Sequence, residues 1–395
     1  MRVSTLGFQT DASQQMQTLE SEITKTQTQL STGVKLQSAA DDPAGMAQVN
    51  QLDAQISASK QYQANGSALN SNLTIEEQSL TDAANVMQSA RDLAVEANNA
   101  SLTASQRQDI STQLQQLLQQ LIGTANSTDA NGNYLFAGEA STTQPFAQSG
   151  NSVAYNGSGS VSQVQISPNQ RVSSGDNGSS VFMNLPGGNG TFTTAVGTGN
   201  TGTATIGPGT VVTASQWVPD TYTITFSDPT DYTVTDGAGN TVTSGTFTSP
   251  GAITFNGVST TVTGTPAAGD TFTVAPAGTS SVFSTISSLI TTLNNPSLSS
   301  AQISTQVGTA LEQIDTAVSN FGVVQASVGA RINAITAANS SATSNQTAMA
   351  TSVSNIQNVD YTAATTQLSS EELALQAAQE SYASIAKMSL FQYLQ

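Results

Sequence analysis

Apolar residues recur at three- and four-residue spacing towards both ends of the chain and at two-residue spacing in its middle. Met16, Leu19, Ile23 and Leu30 fall on one face of a helix, and Gly33 is placed to end it in the left-handed conformation that glycine tolerates. Asp41-Asp42-Pro43 predicts a restart, with an Asp capping the new N-terminus and Pro at the first helical position. A long helix then runs towards Asn98, with Leu69, Leu73, Leu80, Met87 and Ala94 on one stripe. Thr103 with Gln106 forms a capping-box pattern ahead of a further helix through Ile110, Leu114, Leu117, Leu118 and Leu121.

Beyond Asn126 the character changes. Asn131-Gly132 is a hairpin signal, followed by Tyr134-Leu135-Phe136. From Ser149 to Ala277 the chain is rich in Gly, Thr, Ser and Asn. Tyr222, Ile224 and Phe226 alternate there with Thr221, Thr223 and Thr225. Tyr232 and Val234 precede Asp236-Gly237, Ile253 and Phe255 precede Asn256-Gly257, and Phe272 and Val274 follow Asp270. These are short antiparallel strands with one buried face.

Helix returns near Val282. Val307, Leu311, Ile314, Val318, Phe321, Val328, Ile332, Ile335, Ala342, Met349, Val353 and Ile356 hold one heptad register, interrupted by Gln325, Asn339 and Gln346. A register sustained this long predicts a coiled coil. It slips by one near Asp360, then resumes with Tyr361, Leu368, Leu375, Tyr382 and Ile385 before the ending Leu390-Phe391.

The fold class that follows is mainly α with a β insertion. Helices from both chain ends form an elongated hairpin or coiled coil, with an antiparallel β domain at its tip. Residues 1–41 with 357–395 read as a terminal helical assembly domain, 42–148 with 281–356 as a coiled-coil domain, and 149–280 as the β-rich outer domain. Intrachain packing explains most apolar positions in these stripes. The two ends differ, because a narrow stripe there has too little partner within one chain. Met16, Leu19, Ile23, Leu30, Leu368, Leu375, Tyr382, Ile385, Leu390 and Phe391 are therefore the candidate assembly interface.

Composition narrows the chemistry. The 395 residues hold 9 Lys and Arg against 26 Asp and Glu, a net charge of −17, with only 9% of residues charged and neither His nor Cys. Ser-His-Asp triads, thiol nucleophiles, disulfides and Cys/His zinc sites are excluded. The basic residues are scattered, with only Arg171 between Arg107 and Arg331, which argues against nucleic-acid binding. No apolar run approaches the ~18 residues of a membrane span. The opening Met1-Arg2-Val3-Ser4-Thr5-Leu6 carries no apolar core of a Sec-type signal peptide.

Local motifs add no catalysis. Asp129-Ala130-Asn131-Gly132-Asn133 opens like an EF-hand loop, but Tyr134 stands where that loop needs Gly and Ala140 where it needs Glu. Asp41-Asp42 reads as a helix cap, and Glu76-Glu77 and Glu371-Glu372 as solvated helix faces. Gly187-Gly188-Asn189-Gly190 lacks the Lys and following helix of a phosphate loop. No catalytic, cofactor or metal site is expected, and no enzyme.

The opening Met1-Arg2-Val3-Ser4-Thr5, the step Leu30-Ser31-Thr32-Gly33, Asp41-Asp42-Pro43 and the helix after it resemble the flagellin superfamily. Within it, Asn131-Gly132-Asn133-Tyr134-Leu135-Phe136-Ala137-Gly138 followed by Pro145-Phe146, and Ser389-Leu390-Phe391-Gln392, are similar to the hook–filament junction branch. The resemblance covers both helical arms and leaves the β insertion supported only by its own alternation. It implies a structural protein exported by the flagellar type III apparatus and held beforehand by an export chaperone. It also implies a ring or tubular layer of copies between hook-associated protein 1 and the flagellin filament. A flagellin proper and a surface adhesin are the alternatives.

Overall fold

The computed structural model describes residues 5–393, and within them the side chains of 7 and 9–384. Among the described residues six helices carry both arms: α1 (Thr5–Thr32), α2 (Pro43–Ala97), α3 (Ala104–Ala125), α4 (Val282–Asn294), α5 (Ser300–Gln357) and α6 (Tyr361–Tyr393). Two compact units divide the chain, Met1–Ala64 with Ala338–Gln395 and Asn65–Ala337, so α2 and α5 contribute residues to both.

The helix boundaries follow local chemistry. α1 ends where Gly33 takes φ +72° and its N–H returns to the Gln29 carbonyl at 2.8 Å. At the start of α2 the Asp42 carboxylate accepts from the backbone N–H groups of Ala44 and Gly45 at 3.1 and 3.0 Å, with Pro43 beside it. Thr103 and Gln106 form the reciprocal box that opens α3. Ser281 with Ser284 does the same for α4, and Ser299 with Gln302 for α5. The register slip near Asp360 is a break between two helices. Asp360 caps α6 by accepting from the N–H groups of Thr362 and Ala363. The segment before it crosses the α1–α2 connection, with Val34 opposite Asn358.

In the second unit the α2 stripe Leu69, Leu73, Leu80, Met87 and Ala94 is fully buried. In α5 the buried positions Val307, Ile314, Phe321, Val328 and Ile335 fall seven residues apart, the spacing that keeps one seam inward. The polar interruption Gln325 donates to Thr81 Oγ1 at 2.9 Å, and Arg91 pairs with Asp315 at 2.7 Å. These two bonds fix α2 and α5 as antiparallel neighbours. α3 packs on α4, where Ile286, Leu289 and Leu293 are buried with Ile110, Leu114 and Leu121.

Between α3 and α4 the chain forms fifteen short strands among the described residues: β1 (Phe146–Ser149), β2 (Ser152–Tyr155), β3 (Gln163–Ser167), β4 (Gln170–Ser173), β5 (Leu185–Pro186), β6 (Phe192–Val196), β7 (Thr205–Ile206), β8 (Thr210–Val211), β9 (Tyr222–Phe226), β10 (Asp231–Thr235), β11 (Thr241–Thr246), β12 (Gly251–Phe255), β13 (Val258–Thr263), β14 (Thr271–Pro276) and β15 (Thr279–Ser280). A five-stranded antiparallel sheet runs β11-β10-β9-β14-β6, and a second runs β12-β13-β7 with β8 also on β13. Their inward residues, among them Tyr222, Ile224, Phe226, Ile253, Phe255, Phe272 and Val274, share one core. The alternation read from the sequence is the burial pattern observed in β9 and β14.

A separate aromatic core joins the earlier strands to the helices. Phe182 sits in a π-helical turn (Ser179–Met183) with ring centroids 5.0 Å from Phe136, 5.5 Å from Phe146 and 5.4 Å from Phe321. Phe146 lies 5.1 Å from Phe283. Residues 136–183 thus pack with α4 and α5, while the two-sheet core begins at Phe192.

Candidate assembly interface

In the first unit α1 lies along α6. The antiparallel bridge Val34–Asn358 sets their direction, and Thr26 Oγ1 donates to Glu371 Oε2 at 2.9 Å across the pair. Met16, Leu19, Ile23, Leu30, Leu368, Leu375 and Tyr382 are all half-buried. Ile385, Leu390 and Phe391 lie outside the residues whose side chains are described. The helix pair therefore covers only part of each stripe, while Tyr361 and Leu373 remain 57% and 68% exposed. A two-helix contact encloses little volume, so apolar surface remains to be covered.

Polar groups join α2 to α5 in the same unit. Gln346 donates to Ser59 Oγ at 3.0 Å and to Gln63 Oε1 at 2.9 Å, while Gln63 Nε2 donates to the Asn339 carbonyl and Thr343 Oγ1. Asp41 accepts from the Ser38 backbone and pairs with Lys25 at 2.7 Å. The Lys25 ammonium, then the Ser38 N–H, hold its carboxyl down at about 2.

Two acids read from sequence as solvated are buried. Glu371 is enclosed with Thr26, and its other oxygen accepts from Gln367 at 2.8 Å; Glu372 is exposed as expected. Glu76 is 1% exposed in the second unit, whereas Glu77 faces solvent. Both buried acids replace an apolar residue in a three-four stripe, Glu76 between Leu73 and Leu80, Glu371 between Leu368 and Leu375. That spacing was the available signal.

Glu76 accepts the Asp176 N–H at 3.0 Å, while Arg331 pairs with Asp176 and donates to the Gly175 carbonyl at 3.0 Å. Burial, then the Asp176 charge, pushes the Glu76 carboxyl up to about 8. It stays protonated when folded after the unfolded chain has ionised near 4.5, so folding stability falls as pH rises between those values. Glu76→Gln keeps the acceptor and removes the titration. Thermal melts from pH 5 to 9 are expected to show a flatter profile, with a gain on the order of 5 °C at pH 8. A variant with the unchanged slope would contradict this.

The EF-hand-like stretch is a self-capped loop. Asp129 accepts from the N–H groups of Asn131 and Asn133 and from Asn133 Nδ2, and Gly132 takes φ +82°. Asp236 and Asn240 close the same five-residue loop, with the positive φ at Gly239. Among the described residues no group of three or more Asp or Glu could hold a metal ion, and no helix is long and apolar enough to cross a membrane.

Comparison with known proteins places these helices. The bacterial flagellin N-terminal helical region matches residues 3–141, and the C-terminal helical region matches 311–394. FlgL from Xanthomonas campestris is 32% identical, covers 77% of this chain and is itself covered over 99%, at a TM-score of 0.71. The chain belongs to the FlgL family, that of flagellar hook-associated protein 3. The flagellar junction protein FlgL from Legionella pneumophila is 31% identical over 78% of this chain and 99% of its own, at a TM-score of 0.72. Flagellar hook-associated protein 3 of Salmonella typhimurium is 29% identical over 185 residues, or 47% of this chain; the match spans 58% of that curated relative's length. A D2-like domain of flagellar hook-associated protein 1 matches residues 195–276, the two-sheet core of this FlgL-family chain.

Proposed function

We propose that this chain is the structural junction between the flagellar hook and its filament, a layer of copies seated between hook-associated protein 1 and flagellin. The observation that carries the reading is the pair α1–α6, whose half-buried stripes leave a core to be completed by neighbouring copies. Family membership supports the same role, and the D2-like sheet domain favours contact with hook-associated protein 1. The scarcity of charge suits close lateral packing, since few ions need burial. The protein is secreted through the flagellar type III apparatus, with an export chaperone holding it beforehand. The chain acts as a structural subunit and not as an enzyme.

A strain lacking the gene is expected to keep its hooks, lose its filaments and release flagellin into the medium, with the full chain restoring filaments. Normal filaments in that strain would contradict the junction role. Long filaments assembled from this chain alone would favour the flagellin reading.

A further inference from the structure

A groove of about 670 Å³ runs between α5 and the sheet region, lined by Pro186, Pro208, Leu311, Glu312, Thr316 and Val323. Pro186 and Val323 are exposed on its rim, Val323 by 67%, beside the polar Asp315 and Ser319. Glu312 is half-buried there, and its carboxylate has no hydrogen-bond or ion-pair partner among the described residues. Burial alone pushes that carboxyl up to about 7, the behaviour of an acid without a cation. Asp315, one turn on, is already taken by Arg91.

Most described cations are engaged. Lys25 holds Asp41, Arg91 holds Asp315, Arg331 holds Asp176, and Arg107 donates to the Leu102 carbonyl. Lys35 and Lys60 are exposed in the first unit. In the second unit Arg171 is exposed and has no partner among the described residues, on β4 just past the Pro168-Asn169 turn of the β3–β4 hairpin. An arginine at a hairpin tip can lay its apolar stem on proline and valine while its planar head meets a carboxylate.

One chain cannot make this contact with itself. The segment after the hairpin is tied to α5 at Arg331 through Gly175. Glu312 lies nineteen residues earlier on the same helix, about 28 Å away at 1.5 Å per residue. The hairpin also runs away from Glu312: Arg171 pairs across the ladder with Gln165, whose carbonyl accepts from Asn65 at 3.3 Å, and in the antiparallel α2–α5 pair Asn65 lies beyond the Arg331 end of α5.

We propose that the Glu312 groove of one copy receives the Arg171 hairpin of a neighbouring copy. The contact is head-to-tail, using two different patches, and such contacts generate rings or helical layers rather than closed pairs. It rests on the junction reading, because it requires copies to assemble.

The chain contains no cysteine, so Arg171→Cys with Glu312→Cys creates the single thiol pair available for a short bis-maleimide. On isolated flagella the double variant should give a ladder of dimers and higher multiples in denaturing gels, at least tenfold stronger than either single variant. Charge reversal supplies a second measurement. Arg171→Glu and Glu312→Arg should each reduce the protein recovered in flagella about tenfold, with secretion and helical signal retained, and the two together should restore it. Flagella that carry the double-cysteine protein without a ladder would overturn the contact and leave the junction reading standing. A failure of the paired reversal to rescue would also overturn the contact. Absence of the unaltered protein from flagella would overturn both.

Discussion

Replacing Ile23 and Leu375 together by Asp is expected to abolish incorporation of the protein into flagella while leaving the second unit folded. Both residues are half-buried in the α1–α6 pair, at positions where neighbouring copies would complete the cover. Two unpaired carboxylates there cost about 4 kcal/mol or more, roughly a thousandfold in assembly. The main thermal transition belongs to residues 65–337, which neither residue joins, so it should stay within about 2 °C of the unaltered protein. Secretion should continue and filaments should be missing. Normal incorporation of the double variant would contradict an assembly role for these stripes.

Phe182→Ala is expected to have the opposite profile. Its ring touches Phe136, Phe146, Phe283 and Phe321 and is fully buried, linking the π-helical turn to α4 and α5. Truncation leaves a cavity among four rings and costs about 3–5 kcal/mol. For a unit of this size, that lowers the main transition by roughly 10 °C. A melt that moves by less than about 3 °C would show that the aromatic cluster repacks without it.

Much of the helical frame was legible because its signals are local. Gly33, Asp42-Pro43 and Thr103-Gln106 each act within one turn, and each ends or starts the helix where its chemistry requires. The heptad from Val307 to Ile335 survives because a seam seven residues long repeats the same packing demand. The alternation of Tyr222, Ile224 and Phe226 survives for the equivalent reason in a sheet with one covered face.

What escaped depends on tertiary contact. Glu76 and Glu371 read as solvated because charge outweighs their place in the apolar spacing. Partners distant in sequence, Asp176 and Thr26, make their burial tolerable. Phe182 gave no signal, since it stands in a glycine- and serine-rich stretch with no period of its own. The candidate interface was legible as a stripe on each arm. The pairing of the two ends was legible too; its register, fixed by Val34–Asn358 and Thr26–Glu371, was not.

Gold-labelled antibody raised against residues 195–276 should decorate intact flagella in one narrow band where hook meets filament. Decoration along the whole filament, or none on flagella whose cells make and secrete the protein, would contradict a junction role.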